Sequence, residues 1–134
     1  MNYKVKLEEI ELFVFDYDGV FTDGIVLLME DGSNVRSANT RDGYAVQLAV
    51  KQGLKVALLT GGKEKAVEAR MRLLGIEEVH LGCHDKLQSL EDLCSKLNID
   101  LDKTLYMGDD MPDYPAMKKV GLPVCPKDAC ADIL

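Results

Sequence analysis

No apolar run in this chain approaches the ~20 residues a helix needs to cross a bilayer, and the opening stretch Met1-Asn2-Tyr3-Lys4-Val5-Lys6 carries no apolar core of a secretory signal. The expected location is therefore the cytoplasm. Positive charge is also scarce: 16 Lys and Arg stand against 23 Asp and Glu, a formal charge of −7. That excess argues against nucleic acid or an anionic membrane as partner. An anionic substrate would need a locally basic pocket, so single lysines and arginines carry weight. The four cysteines, Cys83, Cys94, Cys125 and Cys130, form no CxxC pair and read as free thiols. His80, Cys83 and His84 fall within five positions, but without a fourth ligand a loop beside a strand end is favoured over a zinc site. Repeats, low-complexity tracts and interdomain linkers are missing, so residues 1–134 are expected to form one domain.

What is present is a rhythm of short apolar runs and helical spacings. Leu12 to Phe15 reads as a buried strand. Two strands, over 24–30 and 34–39, flank Asp31-Gly32-Ser33, a hairpin signal. Asp42 to Gln52 has helical spacing, with Gly53 as its stop. Strands are expected over 54–59, 78–81, 104–107 and 122–125, and helices over 63–74, 85–97 and 113–120. In the second of these helices Leu87, Leu90, Leu93 and Leu97 share a side, with Cys94 beside them. Strands alternating with helices predict an α/β fold: a Rossmann-like parallel sheet flanked by helices, joined by right-handed crossovers. The hairpin is inserted after the first strand, above the sheet edge where ligands bind. Its Leu27-Leu28-Met29 run is apolar for an exposed strand, which favours burial against another subunit.

The chemistry-bearing residues follow the strand ends in order. Phe13-Val14-Phe15-Asp16-Tyr17-Asp18-Gly19 ends an apolar run on two carboxylates spaced i, i+2. Thr60-Gly61-Gly62 follows the next strand of the sheet, Lys86 comes after the third, and Asp109, Asp110 and Asp113 come after the fourth. A parallel sheet brings all of these to one edge. The set suits phosphoryl transfer: a carboxylate nucleophile, a magnesium ion that offsets charge repulsion, and a hydroxyl, backbone N–H groups and a lysine for the phosphate oxygens. On this reading Asp16 attacks, its pKa kept low by magnesium and Lys86, and Asp18 transfers protons. Asp109 completes the magnesium shell and Asp110 ligates directly or through a water. Asp113 orients Lys86, and Thr60 with the N–H of Gly61 grips the phosphate. Each piece has a plainer reading. Thr60 could be a helix cap, Lys86 a solvated helix residue, the second acid cluster a capped loop. DYDGVFTDG could pass for a calcium loop, were Val20 not at a ligand position. A receiver-like phosphoacceptor module also uses acids, Thr and Lys, but places the lysine after its last strand. Here the second acid cluster comes last.

Through DYDGV, LLTGG, the lysine of HDKL and GDDMPD, the chain resembles the haloacid dehalogenase superfamily of aspartyl phosphotransferases over about Leu12 to Cys125. The length leaves no room for the cap domain many members carry. GVFTDG, the hairpin, NTRDGYAVQLA and VGLPV are similar to one capless subgroup, the phosphatases of 3-deoxy-D-manno-octulosonate 8-phosphate in lipopolysaccharide precursor synthesis. The resemblance implies Asp16 as nucleophile and Asp18 as acid/base. It implies magnesium held by Asp16, the Asp18 carbonyl and Asp109, and phosphate held by Thr60, Gly61 and Lys86. It offers Arg41 of NTRDGY and Arg70 of EARMRLLG as substrate contacts, Arg70 being equally readable as a solvated helix residue. It further implies a homotetramer whose hairpins pack together and whose neighbours cover the active site. Two departures stand out. Gly62 replaces the long charged residue that many relatives carry after Thr-Gly, which leaves a nine-carbon sugar acid 9-phosphate as the alternative substrate. The sequence stops at Leu134, before the Gly-rich C-terminal tail of the subgroup, which is either cut away from this chain or missing from the protein.

Overall fold

The computed structural model describes residues 2–134. In chain order the elements are α1 (Tyr3–Glu9), β1 (Leu12–Phe15), β2 (Leu27–Leu28), β3 (Asn34–Val35), α2 (Thr40–Lys51), β4 (Lys55–Leu59), α3 (Lys65–Leu73), β5 (Glu78–His80), α4 (Lys86–Leu97), β6 (Thr104–Met107), α5 (Tyr114–Met117) and β7 (Leu122–Val124). Five strands form one wholly parallel sheet in the order β5-β4-β1-β6-β7. From β1 the chain winds outward through β4 to β5, then returns to lay β6 and β7 on the other side. Such a reversal opens a crevice at the carboxyl ends of the central strands, where α/β sheets bind ligands.

Alternation along β4 explains the two cores. Val56 and Leu58 face one side, where Val46 of α2 and Val67 and Met71 of α3 join them. Ala57 and Leu59 face the other, with Leu90, Leu93 and Cys94 of α4 and Ala116 and Met117 of α5. Because helices cover both faces, the inner strands are apolar throughout rather than alternating. Each fully buried Leu or Val contributes about 1.5–3 kcal/mol.

Several boundaries move for identifiable reasons. The Asn39 side chain accepts from the N–H groups of Arg41 and Asp42, so α2 starts at Thr40, ahead of the expected Asp42. Asp85 caps α4 through the N–H of Gln88 (3.1 Å), and Asn98 closes it in the left-handed region at φ 55°. The helix expected over 113–120 is a 3-10 turn, Met111–Asp113, followed by the short α5. The helix α1 is an addition to the expected elements. Lys6, 7% exposed at its side chain, pins it to Asp102 (3.0 Å) and also pairs with Glu9 of the same helix (3.3 Å).

The hairpin is present but its strands are two residues each, paired antiparallel. Asp31 accepts from the N–H and hydroxyl of Ser33 (2.9 and 2.6 Å), and Gly32 supplies the φ of +88° the turn requires. The ribbon is tied to the body where it returns: the buried Tyr17 hydroxyl donates to the Ser37 carbonyl at 2.6 Å.

Candidate active site

The carboxyl ends of β1, β4 and β6 and the start of α4 enclose a cavity of about 660 Å³ lined by Asp16, Asp18, Thr60, Gly61, Lys86, Asp109, Asp110 and Asp113. These eight positions, expected from sequence at four separate strand ends, lie around one space. The other two candidates do not line it. Arg41 is exposed on the first turn of α2. Arg70 lies against α2, where Gly43 makes room for it: a Cβ on Gly43 would sit 2.5 Å from Arg70 Nη2.

The cavity floor is a buried charge network centred on Asp113, which is fully buried. Its Oδ1 accepts from Lys86 Nζ (2.9 Å) and the Tyr106 hydroxyl (2.7 Å); its Oδ2 accepts from the N–H of Asp109 (3.1 Å). The close approach depends on Gly108, where a Cβ would lie 2.5 Å from the Asp113 Cβ. Lys86 reaches Asp16 Oδ1 at the same 2.9 Å. Burial drags the Lys86 ammonium down, but Asp16 and Asp113 together outweigh it and hold its pKa above the ordinary lysine range. Burial also pushes the Tyr106 phenol far up, so it stays a neutral donor.

By protein groups alone, the Asp16 carboxyl is held high. Burial pushes its carboxyl from 3.8 up to about 7; Lys86 pulls down and the charge of Asp113 pushes up again. Desolvation outweighs one shared ammonium, because Lys86 divides its charge between two acids. Asp109 is raised as well, by burial and by the charges of Asp113 and Asp110. Two carboxyls held above their usual range mark a place short of positive charge. Oxygens of Asp16, Asp109 and Asp113 lie within 4.8 Å of one another, which fits a hard divalent cation on oxygen ligands. Asp113 has spent its oxygens on Lys86, Tyr106 and the backbone, and Asp16 Oδ1 on Lys86 and the Tyr17 N–H, so Asp16 Oδ2 and the Asp109 carboxylate remain to hold a cation. Asp109 packs so closely over Gly19 that a Cβ there would lie 1.7 Å from its Oδ2, and Gly19 itself has φ +81°. Asp110 accepts from the N–H of Met111 and forms a capping box with Asp113.

On the opposite wall Thr60 is buried. Its Oγ1 accepts from the N–H of Gly62 (3.3 Å), and its backbone is clamped between His80 and Cys83. That arrangement leaves the hydroxyl proton to give to an anion. The N–H of Gly61 has no intramolecular acceptor among the described residues.

Four participants escaped the sequence reading. Arg36, just past the second strand of the ribbon, donates Nε–H to Asp18 Oδ1 at 2.7 Å and ion-pairs through Nη1 with Glu64. Tyr106 and Lys63 complete the set. Tyr106 carried a faint signal, a hydroxyl inside a buried strand; Arg36 and Glu64 carried none, their partners being remote in sequence. His80, Cys83 and His84 form no metal-type cluster among the described residues, and all four cysteines are free.

The profile of the family described as "haloacid dehalogenase-like hydrolase" matches residues 35–121. The chain is 41% identical over 124 residues to the 3-deoxy-D-manno-octulosonate 8-phosphate phosphatase KdsC of Escherichia coli K12, covering 92% of this chain and 66% of that protein. It therefore spans just under two thirds of the length of that curated relative. Among solved structures, the phosphatase of the same description from Yersinia pestis superposes with a TM-score of 0.92 at 33% identity, over 96% of this chain and 70% of that one. The enzyme from Moraxella catarrhalis, in complex with magnesium ion, phosphate ion and KDO, superposes with a TM-score of 0.91 at 32% identity, over 96% and 74%.

Proposed function

The chain belongs to the haloacid dehalogenase-like hydrolase family, and from that premise we propose that it is a magnesium-dependent phosphatase of 3-deoxy-D-manno-octulosonate 8-phosphate. The observation that carries the reading is the juxtaposition, in one cavity, of the buried carboxyl of Asp16 with Lys86 at 2.9 Å, and of Thr60 with the acid cluster. The relatives' substrate and the magnesium, phosphate and sugar acid of the Moraxella structure support the finer assignment.

Asp16, Asp109 and the Asp18 carbonyl would hold magnesium, which when bound supplies the positive charge the cavity lacks. The phosphate oxygens are held by the Thr60 hydroxyl, the Gly61 N–H and Lys86. An oxygen of Asp16 attacks phosphorus, and the bond from phosphorus to the sugar oxygen breaks. Asp18 gives its proton to that leaving oxygen. Arg36 holds Asp18 Oδ1, leaving Oδ2 to carry the proton. Asp18 then takes a proton from water, the resulting hydroxide attacks the phosphoaspartate at phosphorus, and inorganic phosphate leaves as Asp16 is regenerated. Asp113 and Tyr106 fix Lys86; Asp110 shapes the turn that presents Asp109.

We place the enzyme in the cytoplasm and in a homotetramer. No helix among the described residues is long and apolar enough to cross a membrane. The ribbon exposes Leu27 (58%), Leu28 (82%) and Met29 (49%), a contiguous apolar patch suited to burial against another copy. Arg41 and Arg70, outside the single-chain cavity, would then meet substrate only across a subunit boundary.

The test is phosphate release with magnesium, and with EDTA, against the octulosonate 8-phosphate, nine-carbon sugar acid 9-phosphates and glucose 6-phosphate. Preference for the octulosonate ester is expected. Preference for a nine-carbon ester, the alternative Gly62 raises, would keep the mechanism and move the substrate. Absence of turnover with a long-lived phosphoprotein would replace the reading with a receiver-like module.

A further inference from the structure

Three cationic side chains line the cavity: Arg36, Lys63 and Lys86. A sugar-acid phosphate brings two anionic groups, and within one chain the structure limits which cation can meet the second one. Lys86 is committed to Asp16 and Asp113, and its nearest remaining task is the phosphate. Arg36 is committed to Asp18 and Glu64, with its side chain only 11% exposed. Lys63 alone is exposed and forms no ion pair among the described residues.

Its placement is built rather than incidental. The Gly62 carbonyl accepts from the N–H of Gly82 at 2.9 Å, joining the two loops at the cavity lip. The N–H of Lys63 donates to Glu64 Oε2 at 3.0 Å. The aliphatic stem of Lys63 runs over Gly82, where a Cβ would lie 3.5 Å from Lys63 Cε. A side chain at position 62 would crowd the ends of Glu64 and Arg36, which would have to give by a few tenths of an ångström. A Cβ there would lie 3.0 Å from Glu64 Oε2 and 3.3 Å from Arg36 Cζ. Gly62 presents no side-chain charge to the cavity, and the next residue, Lys63, does.

We propose that Lys63 is a specificity-determining residue that receives the carboxylate of the substrate, at the lip of the cavity whose floor takes the phosphate. The inference rests on the phosphatase reading above and deepens it. An ammonium–carboxylate hydrogen bond lost from a partly solvated site weakens selection by about tenfold.

The experiment measures kcat/KM with magnesium for 3-deoxy-D-manno-octulosonate 8-phosphate and for glucose 6-phosphate, which has a phosphate and no carboxylate. Wild type, Lys63→Gln, Lys63→Arg and His84→Gln are compared, the last because His84 also lines the cavity. In Lys63→Gln the acid-over-neutral ratio is expected to fall about tenfold, through KM for the acid rather than kcat, and Lys63→Arg to restore most of it. A ratio unchanged in Lys63→Gln, or one that falls in His84→Gln instead, would overturn the inference. A wild type with no preference for the acid would overturn the substrate reading beneath it, so the two failures are told apart by the wild-type ratio alone.

Discussion

Replacing Asp113 by Ala removes the group that organises the floor of the site. Its carboxylate is fully buried and takes hydrogen bonds from Lys86, Tyr106 and the backbone of Asp109. Taking one partner from a buried ion pair costs about 3–5 kcal/mol, because the other charge stays behind. The orphaned Tyr106 hydroxyl adds about 1–3 kcal/mol. Lys86 keeps Asp16 at 2.9 Å, which trims the total, so a net loss of about 4 kcal/mol is expected. Against a typical domain stability of about 5–15 kcal/mol that is a large share. In urea, with m about 2 kcal/mol per molar, the midpoint should fall by roughly 2 M at unchanged m. Tyr106→Phe should cost only about 1 kcal/mol, since Asp113 keeps its other donors. The double variant should lose less than the sum, because both changes break the same bond. A loss below about 1 kcal/mol in Asp113→Ala, with m unchanged, would refute the idea that this carboxylate anchors the network.

Three further outcomes follow from the geometry. Gly19→Ala drives a Cβ into Asp109 and forces a side chain to φ +81°; displacing that donor should lower kcat/KM on the order of 10²-fold, and near-normal turnover would contradict the placement of Asp109. Because burial holds Asp16 up at about 7 rather than 3.8, the cation-free folded protein holds that proton more tightly than the unfolded chain does. Its stabilising contribution is full below about pH 4 and is lost as pH rises through about 7. Measured by thermal unfolding in EDTA, the Tm of wild type relative to Asp16→Asn should therefore drop across that window, and a flat difference would contradict it. Leu28→Asp, at the most exposed apolar position of the ribbon, should shift the mass by light scattering from tetramer toward monomer, whereas an unchanged mass would remove the ribbon from the interface.

The site was legible where its residues are fixed by local pattern. Asp16, Thr60, Lys86 and Asp109 each follow an apolar run, and a parallel sheet leaves them only one edge to meet at. Helix starts slipped by a residue or two where Asn39 or Asp85 supplied a cap. Less legible were contacts made by chain segments far apart in sequence. Lys6 meets Asp102 and so ties to the body a helix that no periodicity announced. Arg36 meets Asp18 from a ribbon only two residues long on each side. How protein groups alone shift Asp16 was also beyond the sequence, because it depends on how one ammonium is shared between two buried acids. Arg70 looked available on its helix, yet the missing side chain of Gly43 gave it a resting place away from the cavity.

A covalent step at Asp16 is the most direct consequence of the proposed mechanism. Wild-type enzyme and Asp16→Asn, each with magnesium, would be mixed with octulosonate 8-phosphate radiolabelled at phosphorus and quenched in acid at short times. Label on the wild-type protein, located at Asp16 and absent from the variant, together with loss of phosphate release in the variant, is the predicted result. Phosphate release at the wild-type rate from Asp16→Asn would contradict it.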